Sequence, residues 1–504
     1  MMTELEFNSL VQQGYNRIPL MLEAFADLET PLSLYLKLAH AEYGGQHSFL
    51  LESVVGGERF GRDSFIGLPA RTLLRASGFG ADARTEVVTQ GVVTETAQGN
   101  PLEFIAEYQK RFKVALTPGM PRFCGGLAGY FGYDAVRYIE KKLAHSCPPD
   151  DLGCADILLL QCEELAVIDH LSGKLYLIVY VNPQAPEAYS RGKQRLRALK
   201  SRLSEPASAP MSGVYKSEPV QRTFDKADYL KAVAHAKELI AQGDFMQVQV
   251  GQRLQKRFAA HPLSLYRALR SLNPSPYMYY YHFGDFQVVG ASPEILVRHE
   301  RNTDSLGNTS QTVTIRPLAG TRPRGATPEL DKAAEQELIN DPKERAEHVM
   351  LIDLARNDIG RIAKTGSVQV TEAFVVERYS HVMHIVSNVQ GTLTEGLGAM
   401  DVLKATFPAG TLTGAPKVHA MEVIDQLEPV KRGIYGGACG YISYAGDMDV
   451  AIAIRTGIVK NGMLYVQAAA GIVADSVPEM EWAETEHKAR ALLRAAELVE
   501  EGLE

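Results

Sequence analysis

Only five of the 504 residues are cysteine, and a single one is tryptophan. Cys147, Cys154 and Cys162 fall in a C-x6-C-x7-C stretch that matches neither a zinc-ligand spacing nor a disulfide framework, so a reducing, cytoplasmic compartment is expected. Long hydrophobic runs are missing too. The longest apolar stretches, near 155–160 and 175–181, are strand-sized and far short of the roughly 20 residues that span a bilayer, so no membrane partner is expected. The opening MMTELEF is acidic and has neither the basic n-region nor the apolar h-region of a signal peptide. Basic residues do not predominate. The 52 Lys and Arg against 60 Asp and Glu leave a formal charge of −8, the wrong sign for holding nucleic acid by phosphate neutralisation. On such a background an anionic substrate needs local basic groups or a metal. There is no internal repeat, no strand-borne GxGxxG and no phosphate loop; in GTLTGAPK (410–417) the sixth position is Ala415. Nor is there a GxCxG thiol motif, since Cys439 lies in GACGY.

What is present is the composition of a protein with a sizeable core, 45% hydrophobic and 22% charged. The length suggests roughly three domains, or two large interlocked ones. The stretch 204–220 (SEPASAPMSGVYKSEPV) has no apolar period and reads as a linker between residues 1–203 and residues 221–504. Before it, a helix is expected from Pro31 to Tyr43, a strand over 48–55 ending at Gly56 and Gly57, glycine-rich strand edges over 124–133, and an alternating strand over 174–181. After it, a helix over 226–241 closes at Gly243, and strands are expected at 246–253, 278–283, 286–289, 295–298 and 312–315. Their short connections predict antiparallel pairing. Two further helices open at Asp341-Pro342 and at Ser476 with Pro478. The fold class is therefore α+β, with antiparallel sheets and flanking helices.

Four features bear on chemistry. Glu344 with Glu347, and Glu481 with Glu484, are i, i+3 carboxylate pairs in the first turns of the last two helices. Each pair is either a solvated helix face or half of a hard-cation site, for which Mg²⁺ fits best. His384 sits in an apolar alternation as either a core histidine or a base lining a cleft, and His381, three positions away, faces the other side of a strand. Arg455, in AIAIRTG, must meet a carboxylate from the protein or from a ligand. The glycine-rich segments at 319–321, 410–417 and 468–471 are turns or bulges, or places where backbone N–H groups approach an anion.

Taken together, NPSPYM (273–278), GASPE (290–294), RPLAGTRPRG (316–325), ERAEH (344–348), DLARND (353–358) and FPAGTLTGAPK (407–417) closely resemble the chorismate-utilising enzymes. Within that family the match is to the large-subunit, component I branch of the anthranilate synthases. It continues through YGGA (435–438), IAIR (452–455) and GIVADS (471–476), and appears in LLES (50–53). The resemblance implies a four-layered fold that converts chorismate and ammonia to anthranilate and pyruvate with Mg²⁺, the first step of tryptophan biosynthesis. It implies Glu347 and Glu484 as metal ligands, supported by Glu344 and Glu481. Gly320, Thr321, Tyr435, Arg455, Ala469, Ala470, Gly471 and Lys488 become the substrate-binding set. Glu294 becomes the general acid, His384 the base, and Thr411 a further group at the reacting centre. Where isochorismate-forming relatives place a lysine this chain has Gln247, and where aminodeoxychorismate synthases commonly place one it has Ala319, so direct attack by ammonia is expected. Ala469 and Ala470 depart from the glycine that relatives often carry there. With no thiol motif, glutamine hydrolysis falls to a separate amidotransferase subunit in a hetero-oligomer. Glu52, Ser53, Pro276, Tyr277 and Met278, with Pro31, match the segments that bind tryptophan as feedback inhibitor. The remaining alternatives are an aminodeoxychorismate or aminodeoxyisochorismate synthase, and a non-catalytic chorismate- or tryptophan-binding regulator.

Overall fold

The structure, a computed structural model, describes residues 2–54, 61–210, 213–303, 309–379 and 382–503. The described strands form two twelve-stranded sheets. The first runs from Ile18–Phe25 through Lys174–Val181, Glu164–Asp169, Asp63–Gly67 and Ser48–Glu52 to Tyr277–His282, Phe286–Ser292, Thr456–Lys460, Met463–Ile472 and Gln247–Arg257. The second runs from Leu318–Pro323 through Val382–Thr392, Thr309–Ile315, Ile295–Thr303, Met448–Ile452 and Ala438–Ser443 to Gly126–Phe131 and Ile157–Cys162. Pairing is antiparallel throughout, as short connections require, for example with Met278 opposite Glu52 and Cys439 opposite Tyr130. Each sheet is continuous across the 204–220 stretch, so segments from both sides of it share both sheets. Among its described residues that stretch carries no helix or strand.

The apolar runs are explained by which face each residue serves. Along Ile157–Cys162 every residue is buried. Leu158 and Leu160 point into a core between the sheets, with Phe49, Tyr130, Tyr279 and Tyr281. Ile157 and Leu159 point the other way, against helices Pro101–Lys110 and Pro342–Gly360 through Leu102, Ile105, Ile352 and Ala355. On the outer face of the first sheet, Leu50, Ile66 and Ile168 meet the helices Pro262–Leu272 and Pro478–Glu500 through Leu265, Leu269, Leu492 and Ala496. The order is helix, sheet, sheet, helix: a four-layered α+β fold. Strands wet on neither face read as continuous hydrophobic runs instead of alternating ones.

Two local expectations are corrected. The helix expected from Pro31 to Tyr43 is one α-turn, Pro31–Leu34, continued as a π-helical segment Tyr35–His40, and the chain then turns through Gly44 and Gly45 in left-handed conformations. The glycine-rich stretch at 124–133 is not an edge. It contains the central strand Gly126–Phe131, where a Cβ on Gly126 or Gly129 would come within 2.1 Å of a neighbouring strand's carbonyl oxygen. The helix Lys226–Gln242 does end on a left-handed Gly243, and Asp341 caps Pro342–Gly360 by accepting from Lys343 N and Glu344 N. Residues 55–57 and His381 lie outside the described residues. No described helix is long and apolar enough to cross a membrane.

Candidate active site

Two of the passages of the chain from one sheet to the other each carry a charged residue. Glu294 lies between Phe286–Ser292 of the first sheet and Ile295–Thr303 of the second; Arg455 lies between Met448–Ile452 of the second and Thr456–Lys460 of the first. Backbone hydrogen bonds tie the crossings to neighbouring strands, Ile452 N to Glu294 O at 3.0 Å and Ala291 N to Arg455 O at 3.1 Å. Arg455 takes a left-handed φ of 49°, a conformation costing a non-glycine residue about 1–3 kcal/mol and typical of sites where geometry outweighs stability. Among the described residues its guanidinium has no ion-pair partner within 4.0 Å, and Glu294 is the carboxylate whose charge it feels. Burial lowers its pKa, opposed by the nearby Glu294 charge.

Glu294 itself is buried, 7% exposed, and accepts a hydrogen bond from Thr411 Oγ1 at 3.3 Å. Burial pushes its carboxyl up to about 8, against the pull of the Thr411 hydrogen bond and the Arg455 and Lys488 charges. Such a carboxyl keeps its proton at neutral pH and can donate it.

His384 lies in the strand Val382–Thr392, 2% exposed. The adjacent edge strand Leu318–Pro323 breaks register between Ala319 and Arg322, and the irregularity turns the Gly320 carbonyl onto His384. His384 Nδ1 is 2.8 Å from Gly320 O and 3.1 Å from Thr321 Oγ1. A carbonyl oxygen only accepts, so Nδ1 carries the proton and Nε2 is the free basic nitrogen. Burial lowers the ring's pKa to about 4, with the Gly320 bond opposing and the Arg455 charge assisting. Gly320 needs its left-handed φ of 64°, and a Cβ there would stand 2.8 Å from Leu338 and 3.1 Å from Glu344 Oε2. The irregularity thus connects the imidazole to the carboxylate cluster.

In that cluster, burial raises the Glu347 pKa, with the like charges of Glu344 and Glu484 adding to it. Glu481 is raised by burial and by Glu484. The helices therefore bring their carboxylates within electrostatic reach, and an all-oxygen donor set suits a hard divalent cation. Among the described residues no three such groups converge on a single point. Glu484 is turned to Lys488 Nζ at 2.6 Å and Glu344 to Arg322 Nη1 at 3.3 Å.

Ala469, Ala470 and Gly471 end the strand Met463–Ile472, opposite Gly251, Val250 and Gln249. The Ala469 and Ala470 methyls are buried in separate apolar cores. Gly471 has no such room: a Cβ would lie 2.7 Å from Gln247 Nε2 and 2.9 Å from Gln249 Nε2. Lys488 Nζ donates to Ala469 O at 2.9 Å, and the buried Tyr435 hydroxyl is within hydrogen-bonding reach of the Ala469 backbone. Sequence reading missed Tyr379, whose ring centroid lies 5.6 Å from that of His384, and Gln249; neither stands in a pattern that marks it.

A second cluster forms where the sheet joins Ser48–Glu52 to Tyr277–His282. Glu52 is opposite Met278, and Val54 N bonds Ser275 O at 3.3 Å, so the segments holding Glu52, Ser53, Pro276, Tyr277 and Met278 are neighbours. Pro31 is buried at the start of its helix. The Glu52 carboxylate is engaged within the protein by Arg270, at 2.7 and 3.1 Å, and by the Tyr266 hydroxyl. Tyr277 bonds Asp449 Oδ1 at 3.2 Å.

The family model for chorismate binding enzymes matches residues 64–494. The chain is 54% identical over 507 aligned residues to anthranilate synthase component 1 of Neisseria meningitidis serogroup B, covering 100% of each chain. Among solved structures, that of anthranilate synthase component I from Streptococcus pneumoniae aligns over 93% of this chain and 98% of that one, with a TM-score of 0.73 and 36% identity. The menaquinone-specific isochorismate synthase of Escherichia coli, 18% identical, shares the fold with a TM-score of 0.69 over 97% of this chain and 98% of its own. Two sheets crossed by a buried acid and an unanswered arginine, and a match running nearly end to end, have one reading: the chain belongs to the chorismate binding enzymes, in the group of anthranilate synthase component 1 proteins.

Proposed function

We propose that this chain joins ammonia to chorismate and releases pyruvate, giving anthranilate. The observation that carries the reading is the pairing of a buried carboxyl that holds its proton, Glu294, with an imidazole kept neutral, His384, both within the field of Arg455. Chorismate brings two carboxylates. Arg455 takes one of them, with Tyr435, Lys488, Gly320, Thr321 and the Ala469–Gly471 backbone shaping the rest of the pocket. As ammonia bonds to C2, the C4 hydroxyl leaves as water with the Glu294 proton, and Thr411 orients that carboxyl. His384 Nε2 then removes the C2 proton, the ring aromatises, and the enolpyruvyl oxygen leaves with its electron pair to become pyruvate. Glu347 and Glu484, supported by Glu344 and Glu481, would hold Mg²⁺, which when bound offsets the charge of a substrate carboxylate in this acidic protein. Ammonia comes from a glutamine amidotransferase subunit in a hetero-oligomer, because the chain has no thiol motif of its own.

Fluorescent anthranilate is expected when the pure chain receives chorismate, ammonium and Mg²⁺. Glutamine in place of ammonium is expected to give none, and glutamine-driven turnover by the single chain would overturn the assignment. Chelation of divalent cations is expected to abolish the signal and readdition of Mg²⁺ to restore it.

Tryptophan is the proposed inhibitor at the second cluster, where Pro276 and Met278 offer an apolar wall and Glu52 a carboxylate for the amino group. Because Arg270 already neutralises Glu52, the ligand amine displaces an existing partner. Ser53→Phe is expected to raise the tryptophan concentration for half-inhibition at least tenfold while activity persists, and unchanged inhibition would place the site elsewhere.

A further inference from the structure

Thr411 reaches Glu294 from the one-turn helix Gly410–Leu412, which is closed by Leu412 N to Ala409 O at 3.1 Å and Thr413 N to Gly410 O at 3.2 Å and is tied to the neighbouring strand by Gln249 N to Thr413 O at 2.8 Å. A buried arginine side chain grips the same turn from outside it. Arg432, 2% exposed, donates from Nη1 to Leu412 O at 2.6 Å and from Nη2 to Gln249 O at 3.3 Å. Its Nε and Nη2 grip Glu428 Oε2 and Oε1 at 2.9 and 2.7 Å. Glu428, 4% exposed, uses Oε1 again to accept Gly251 N at 2.7 Å. The guanidinium also lies over the ring of Tyr435, 5.8 Å from its centroid, and over that of Tyr133, at 4.6 Å. Gln249 and Gly251 are the residues opposite Gly471 and Ala469.

One ion pair therefore contacts the Thr411 turn, the Tyr435 ring and the strand that backs the Ala469–Gly471 segment. A buried ion pair is a poor source of net stability, and well-packed apolar residues commonly replace one at no loss. Only a planar fork delivers this many bonds at fixed angles. We infer that Arg432 and Glu428 are positioning residues, whose task is to hold the Gly410–Leu412 turn so that the Thr411 hydroxyl meets Glu294. The inference rests on the proposed role of Glu294 as the acid.

Two variants test it. Arg432→Lys keeps the charge beside Glu428, but a single nitrogen cannot serve Glu428, Leu412 O and Gln249 O together. The double variant Glu428→Leu, Arg432→Met removes both charges, leaves none unpaired, and decides the matter if the lysine variant does not fold. Each is expected to lower kcat about 10–100-fold, the scale of a misplacement near 1 Å, with the chorismate KM changed less than threefold. Adding Thr411→Val is expected to cost little more in these backgrounds, although it is damaging alone. A merely structural role would give independent, multiplying losses.

A second readout needs no turnover. The Tm gained on Glu294→Gln grows with pH until Glu294 has ionised in the folded protein. In the Arg432→Lys background this growth is expected to continue to higher pH, because the carboxylate has lost the Thr411 hydrogen bond; Arg455 and Lys488, the charges facing it, are unchanged. Wild-type kcat in folded Arg432→Lys, multiplying losses with Thr411→Val, or an unmoved Tm profile would each overturn the inference. If the parent forms no anthranilate, the function proposed above fails while the Tm profile still reports on the turn.

Discussion

Replacing His384 with Met is expected to cut anthranilate formation by about 10²–10⁴-fold while an aminated, pyruvate-bearing intermediate accumulates, as seen by chromatography of the products. The two half-reactions ask for different things. Amination needs a proton donor at C4 and bound ammonia, whereas elimination needs a base at C2. Gly320 O fixes the Nδ1 proton and leaves Nε2 as the acceptor, and burial keeps the ring neutral down to about pH 4. Loss of this base therefore falls on the second step. Methionine keeps bulk and apolar character in a strand position that is 2% exposed, so the fold is expected to persist. If both products fall together, His384 serves the fold or both steps, and the division of labour is wrong.

Glu294→Gln is expected to stop the first step, lowering kcat/KM for chorismate by about 10²–10⁴-fold with no accumulated intermediate. The pH profile gives a finer test. The free enzyme needs Glu294 protonated, so kcat/KM should decline on the alkaline side of about pH 8. The Thr411 hydrogen bond favours the carboxylate, hence Thr411→Val is expected to move that limb to higher pH, besides lowering the rate. Stability follows with the opposite sign to an ordinary salt-bridged carboxylate. Because the folded pKa of about 8 exceeds the ordinary glutamate value of 4.5, the folded state keeps a proton that the unfolded chain loses between these limits. Stability from this group is complete below about pH 4.5 and is lost as pH rises through 8. The glutamine variant escapes the loss, so its Tm is expected to exceed that of the parent by a widening margin across that window, levelling off above it. An inactive variant with no gain in Tm would mean that Glu294 is not held protonated by the fold.

Local chemistry made much of this protein legible from its residues alone. Asp341-Pro342 and Gly243 mark helix ends because a cap and a left-handed residue act within one turn of the chain. Short loops between apolar runs require antiparallel pairing, and every strand pair obeys. His384 and Arg455 stood out as a titratable ring and a charge in apolar settings, where each needs a partner, whereas Glu294 was marked only by the resemblance of GASPE (290–294) to the chorismate-utilising enzymes. Tertiary structure decided what those local rules cannot reach. The 204–220 stretch reads as a boundary because it lacks apolar period, yet sheet pairing is a contact between residues distant in sequence, and Met278 opposite Glu52 carries one sheet across it. The placement of Glu294 and Arg455 at two of the crossings between sheets likewise depends on the pairing of strands far apart in the chain. Whether Arg455 meets a protein carboxylate, whether Glu52 is already taken by Arg270, and which nitrogen of His384 is free were open in the sequence for one physical reason. Burial and hydrogen-bond partnership are set by the whole packed molecule, and a linear pattern records which groups need partners without recording who they are.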